Sequence, residues 1–347
     1  MTPIPVQSTR YDAIDWTKTL GIILVIYGHS EALSPYLEKA IYGFHMPLFF
    51  FASGFLTSDK RLTDNFSSFV RGLARRLIKP YFIFAIINYL FWLLLARHFG
   101  ADKDNAIPVI SPLIGIFYGS GSGQDLLQPM VLWFFPCLTS SLLLMWLTRR
   151  LKLVIRIAVI TALMICGMHA GNVILPWEIE GAVVALPFLW TGHGVRNHWQ
   201  SFEKLSKYKL IAVTLVGASL AWTCSQANIK IDMRSAAYGS PLLFLFASLN
   251  GIGAILALSQ ILPQSRIAQK ISECTILSFP LHSMGYSLLA GFYVYILHQP
   301  PSFRNEPMVG IIATIILVLT FLIVSKPGFI ILDLLNRYVP PTNKPNA

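Results

Sequence analysis

Residues Asp15–Ser30, DWTKTLGIILVIYGHS, and Ile41–Leu56, IYGFHMPLFFFASGFL, carry ionisable side chains inside stretches apolar enough to span a bilayer. In the first, Lys18 and His29 are eleven residues apart. At about 100° per residue, eleven steps return to within roughly 20° of the starting direction, so the two share a helix face. At about 1.5 Å per residue they are separated by roughly 16 Å, half the hydrocarbon thickness, and a lysine at one headgroup layer sets the imidazole near mid-membrane. Asp15 lies within about 40° of the same line. A carboxylate, an ammonium and an imidazole therefore form one stripe running inward from one surface. A lysine facing lipid costs about 2.5 kcal/mol or more, so the stripe is expected to face a protein interior or a wet cavity and to mark a functional site. A second reading stands beside it: His29 satisfies a backbone carbonyl where the helix ends, because HSEALSPY is polar and reaches Pro35.

The whole chain extends this pattern. Its 347 residues are 54% apolar and only 12% charged, with a mean hydropathy of +0.60. This composition excludes a soluble domain and predicts an all-α, polytopic membrane protein. Apolar runs fall at 16–34, 40–57, 77–96, 128–148, 153–170, 178–196, 209–226, 240–262, 271–297 and 308–326, which gives about ten transmembrane helices. With the N-terminus inside, 21 of the 27 lysines and arginines fall in cytoplasmic segments, which supports an N-in, C-in topology. The same distribution accounts for the net charge of +11 by the bilayer, and no nucleic-acid partner is expected. Residues 1–14 read as a cytoplasmic tail with no cleavable signal, 15–338 as the transmembrane domain and 339–347 as a second cytoplasmic tail. The longest outer loop, about 97–128, contains Gly119-Ser-Gly-Ser-Gly123 and reads as a flexible linker, without the lysine of a phosphate-binding loop. Cys137, Cys166, Cys224 and Cys274 show no CxxC spacing, and no HExxH or Glu-x-x-His set appears, so no metal site is expected.

Several constellations remain for chemistry. His45 stands near the outer end of the second run, where Pro47 frees backbone groups; it lines a polar cavity next to His29 or sits among interfacial aromatics. Ser53 and Gly54 permit close helix packing. Arg71, Arg75 and Lys79 recur at i, i+4 and i+8 with Arg76 beside them, which reads either as positive-inside bias or as a dock for a phosphorylated cytosolic donor. Trp133-Phe-Phe-Pro136 opens the fourth run, and Pro187–His193 lies late in the sixth. Asp232 and Arg234, in an outer segment, read as a local ion pair or a substrate contact. His282 follows Lys270 by twelve residues, about 18 Å inward, and is a second mid-depth imidazole.

The blocks RYDAIDWTKTLGIILVIYGHS and IYGFHMPLFFFASGFL, with Arg71, Arg75 and Arg76, Leu132–Pro136, Ile231–Gly239 and the LSFPLH ending at His282, resemble the integral-membrane acyltransferase family three. They are most similar to its branch of fucose 4-O-acetylase-like sugar O-acetyltransferases. The family's basic residue, ten intervening residues and histidine are matched by Lys18 and His29, although many members carry arginine at the Lys18 position. The resemblance implies acetyl transfer from cytosolic acetyl-CoA, a co-substrate and not a bound cofactor, to a hydroxyl of a cell-surface or lipid-linked saccharide. It also implies a multi-pass protein of the bacterial inner membrane, in contact with membrane lipids. On this reading His29 is the general base or carries the acetyl group, with Asp15 and Lys18 placing the donor. Arg71, Arg75 and Arg76 hold its nucleotide, and His45, Trp133 and His282 contact substrate. Two rival classes fit part of the same pattern: a secondary transporter or exporter, and a structural partner of a polysaccharide export complex.

Overall fold

The computed structural model describes residues 11–99, 107–120, 131–170, 173–300 and 306–337. The tails at 1–10 and 338–347 and the glycines at 121 and 123 lie outside the described residues. In chain order the helices are α1 Asp12–Gly28, α2 Pro35–Tyr42, α3 His45–Phe55, α4 Asp59–Thr63, α5 Phe66–Phe99, α6 Ile110–Tyr118 and α7 Phe134–Thr148. They continue as α8 Leu153–Met168, α9 Ile179–Asn197, α10 Trp199–Glu203, α11 Lys207–Ala227, α12 Pro241–Ile261, α13 Arg266–Gly291 and α14 Pro307–Arg337. Among the described residues no strand occurs beyond a single bridge between Asp232 and Ala237. Each predicted apolar run meets a helix. Phe66–Phe99, Lys207–Ala227, Pro241–Ile261 and Pro307–Ser325 are long and apolar enough to cross a membrane, and α7 and α8 are shorter apolar helices.

Local chemistry sets the helix starts. The side chains of Ser34, Ser58, Asn65, Ser206 and Ser265 accept hydrogen bonds from backbone N–H groups of the first turns they cap, and Pro35 follows Ser34 at a position where no N–H is lost.

Two helix boundaries differ from the sequence expectation. The first apolar run was expected to continue to 34, yet α1 stops at Gly28, and side chains satisfy carbonyls of its last turn. Val25 O accepts from the His29 ring at 2.9 Å, Ile26 O from Tyr286 Oη at 3.0 Å, and Gly28 O from Tyr42 Oη at 3.4 Å. The second run, expected as one span over 40–57, is broken between α2 and α3 at Gly43–Phe44. Pro47 falls in the first turn of α3, where its missing N–H costs nothing. Gly43 is at the break because a Cβ there would lie 2.3 Å from Ser225 Oγ of α11, while its carbonyl accepts from Ser248 Oγ of α12 at 2.8 Å. His45 bridges the break, its Nδ1 at 2.8 Å from Ile41 O. A third difference is α6, which occupies part of the loop read as a linker and is closed by Gly119 in the left-handed region, φ 72°.

The core joins α1, α3, α7, α9 and α13. Phe134 is at its centre, with ring centroids 4.8 Å from Phe279 and 5.1 Å from Phe50. α3 crosses α9 with backbones in contact: a Cβ on Gly54 would lie 2.0 Å from Leu189 O, and one on Gly192 would lie 2.0 Å from Phe51 O. The close packing expected of Ser53-Gly54 is thus made by Gly54 against the Leu189 backbone, with Gly192 of α9 making the same kind of approach to Phe51. α1 and α13 run side by side in the same direction, with Asp15 beside Ser272 at one end and His29 beside His282 at the other. The bundle therefore has two ends, one marked by histidines and the other, through Tyr11, Phe55 and Trp199, by the loop that leads to the arginines.

Candidate active site

A cavity of about 120 Å³ opens at the histidine end, lined by His29, Tyr42, His45, Trp133, Phe279 and the segment Lys230–Arg234. Such a volume admits several waters, or the acetyl end of a thioester with one hydroxyl beside it, and leaves no room for a nucleotide. Three imidazoles converge here. The His29 ring lies 4.8 Å from that of His282 and 6.2 Å from that of Tyr42, and Tyr42 lies 4.9 Å from His45. His29 is half-buried, and His45 and His282 are buried.

All three rings are held in the same way. Nδ1 of His29, His45 and His282 stands 2.9, 2.8 and 2.7 Å from the carbonyls of Val25, Ile41 and Phe279. A carbonyl oxygen only accepts, so each Nδ1 carries the proton and donates it, and each neutral ring keeps its lone pair on Nε2. The two readings of His29 are therefore compatible: Nδ1 serves the helix end, and Nε2 is left for the cavity. Nε2 of His282 is fully buried with no hydrogen-bond partner among the described residues. Pro280, inside α13 and two residues before His282, removes a backbone donor, and its own carbonyl accepts from Asn88 Nδ2 at 3.1 Å.

The outer wall is a strap, residues 228–240, between α11 and α12. Ile231, Met233 and Tyr238 are buried and anchor it. Asn228 ties its two ends together: Oδ1 accepts from the N–H of Ile229 and of Ser240, both at 2.9 Å, and Nδ2 donates to the carbonyls of Tyr238 and Ser240. The backbones of Asp232 and Ala237 exchange two hydrogen bonds of 2.9 Å. Gly239 turns at φ 60°, where a Cβ would also meet Asn228 Oδ1. Asn228→Ala should therefore free the strap, since a lost buried hydrogen bond costs about 1 kcal/mol. The expected result is faster proteolytic cleavage within 229–239 at unchanged helical circular dichroism, and equal cleavage rates would reject the clamp.

The structure does not bring all the sequence candidates together. His29, His45 and Trp133 share the cavity, with His282 directly behind His29. Asp15 and Lys18 lie at the other end of α1, packed on α13, where Asp15 Oδ1 accepts from Ser272 Oγ at 2.7 Å and Lys18 Nζ donates to Ser272 O at 2.9 Å. Arg71, Arg75 and Arg76 are exposed at that same end. Their helix contains a π turn at Ala74–Ile78, whose i→i+5 bonding rotates Lys79 off the Arg71–Arg75 line expected from regular helical spacing. From Arg75 to Asn88, which touches α13 two residues from His282, is about 20 Å along the helix.

Sequence reasoning missed Arg61. Its guanidinium lies over the Phe69 ring at 5.6 Å, and Nη2 is buried with no hydrogen-bond partner among the described residues. Burial and then the neighbouring Arg76 push its pKa below the ordinary value, and Asp64 opposes them. Crowded guanidinium groups of this kind favour an anion. No spacing motif marks Arg61, since it reaches the arginine helix from a separate short helix.

A family model described as an acyltransferase domain matches residues 11–326, which takes in the cavity, both helices that carry its first two histidines, the strap and the arginine helix. Nodulation protein NolL of Sinorhizobium fredii is 31% identical over 122 residues, 32% of this chain and 33% of that protein. The chain thus matches about a third of the length of this curated relative. No solved structure matches. With a helical membrane fold and a match over nearly its full described length, the chain belongs to the acyltransferase 3 family.

Proposed function

We propose that the protein is a membrane O-acetyltransferase that moves an acetyl group from cytosolic acetyl-CoA to a hydroxyl of a cell-surface or lipid-linked saccharide. The observation that carries this reading is the cavity lined by His29, whose Nδ1 is fixed on Val25 O. A sugar hydroxyl is a poor nucleophile, and a neutral imidazole can take its proton as it attacks. The hydroxyl oxygen bonds to the thioester carbonyl carbon while its proton passes to His29 Nε2. Collapse of the tetrahedral intermediate breaks the C–S bond, coenzyme A leaves as thiolate, and the imidazolium returns the proton to it, giving the ester and the free thiol. His45, the other cavity imidazole, and Trp133 contact the reacting groups, and His282 supports the His29 ring from behind. In a variant of this mechanism His29 Nε2 takes the acetyl group itself before passing it on.

The distance between the two ends supports a division of the donor between them. Its phosphates belong with Arg61, Arg71, Arg75 and Arg76, and its thioester is carried on an extended arm about 20 Å long to reach the histidines. Asp15 and Lys18 line the α1–α13 seam at the end remote from the histidines. The arginine end is then cytoplasmic, the histidine end extracytoplasmic, and the membrane the bacterial inner membrane. The test is isotopic: membranes containing the protein should move label from acetyl-CoA into alkali-labile ester on a glycan. No such label would reject the reading and favour a transporter. Arg75→Ala should raise the apparent KM for acetyl-CoA about tenfold with kcat changed less than twofold, the loss of one charged hydrogen bond. An unchanged KM would leave the arginines as a topology signal alone.

A further inference from the structure

The strap side of the cavity has no part in the donor chemistry, yet it supplies most of the cavity's charge. Lys230, Asp232 and Arg234 all line the cavity, and each charge is balanced locally. Lys230 Nζ lies 2.6 Å from Glu38 Oε1, and Arg234 Nη2 lies 3.9 Å from Asp232 Oδ2. Asp232 Oδ1 accepts from the Arg234 backbone N–H at 3.1 Å, which fixes the carboxylate on the strap. A site built to hold a phosphate or a carboxylate needs an excess of positive charge, whereas here the two cations of the strap are matched by two carboxylates, Asp232 on the strap and Glu38 on α2 behind Lys230. What it offers is a carboxylate that accepts and a guanidinium that donates, side by side, on a backbone held by Asn228. Three aromatic rings, Tyr42, Trp133 and Phe279, line the same cavity. Neighbouring hydroxyls on a sugar ring need such an acceptor and donor pair, and the C–H face of that ring suits an aromatic wall.

We propose that the strap is the acceptor-recognition element, and that Asp232 and Arg234 together hold neighbouring hydroxyls of an uncharged saccharide beside His29 and His45. This rests on the O-acetyltransferase reading and names the substrate class of the same site. The strap is preorganised, so ordering it costs little on binding. Its position opposite the arginine end keeps acceptor and nucleotide on separate paths, and specificity is then written in a segment that touches neither the thioester nor the base.

The test uses the full-length protein in membranes, with labelled acetyl-CoA and a soluble acceptor panel of methyl hexopyranosides, their single-deoxy analogues and methyl glucuronoside. The expected result is acetylation of at least one methyl hexoside over the glucuronoside, with loss of a hydroxyl next to the acetylated one lowering kcat/KM tenfold or more. Asp232→Asn, which keeps the side chain's shape and its acceptor for the Arg234 N–H, should raise KM for that hexoside about tenfold and leave KM for acetyl-CoA unchanged. Arg234→Gln should do the same. Transfer that prefers the glucuronoside, or an unaltered hexoside KM in both variants, overturns this assignment while leaving the O-acetyltransferase reading intact. Absence of transfer to any saccharide, on the panel or on native glycans, overturns both.

Discussion

His29→Ala is expected to lower acetyl transfer by 10²- to 10⁴-fold, the usual contribution of a positioned general base, while the protein inserts at normal abundance. The expectation follows from the division of labour on the ring. Nδ1 closes the end of α1 through Val25 O, and that end is also held by Tyr42 and Tyr286, so removing one of three side-chain caps leaves the helix in place. Nε2 is different, because the other cavity imidazole, His45, belongs to another helix and is fixed to Ile41 O by its own Nδ1. It has no freedom to take the place of His29. The measurement is turnover of labelled acetyl-CoA per mole of folded protein, with abundance scored by detergent-extracted monodisperse fraction. Turnover within threefold of the unaltered protein would remove His29 from the mechanism.

The second large effect concerns folding. At the α3–α9 crossing, Gly54 and Gly192 each face a backbone carbonyl at 2.0 Å from the place a Cβ would occupy, and neither obstacle is a side chain that can swing away. Gly192→Val must push the two helices apart. Overpacking costs about 1–3 kcal/mol where side chains can shift, and a backbone obstacle puts this substitution at the top of that range or above. The displacement also reaches the cavity, since α3 begins with His45. The expected outcome is a fall in Tm of about 5 °C or more and loss of most monodisperse protein after extraction. The control is Gly194→Val, two residues along, where nothing lies within 4 Å of the added Cβ and stability should be kept. Equal Tm values for the two variants would show that the crossing is looser than described.

What the sequence made legible, and what it hid, divides along physical lines. Apolar runs report hydrophobic burial in either lipid or protein, so each run meets a helix. Azimuth along α1 correctly placed Lys18 and His29 on the face that meets α13, because helical period is a local property. Depth and company are not local. That Lys18 ends on Ser272 O, and that His29 meets His282, depends on which residues α13 brings alongside. The break at Gly43 answers to Ser225 and Ser248 on two later helices, so nothing within the run itself announced it. The strap was legible only through Asp232 and Arg234, as an ion pair or a substrate contact. Its rigidity comes from Asn228, a residue with no motif, whose amide makes four hydrogen bonds that close a turn twelve residues wide. The π turn that displaces Lys79 is likewise invisible to any fixed spacing.

The anchoring of the three rings has a further consequence in a membrane protein. A row of imidazoles resembles a conduit along which a proton could hop from one aqueous phase toward the other, and such a leak would dissipate the gradient the cell maintains. Hopping through imidazole requires the proton to enter by one nitrogen and depart by the other. Here the departing nitrogen always points at a peptide oxygen, which has nothing to pass on. Each ring is a dead end, and a proton borrowed during turnover goes back the way it came.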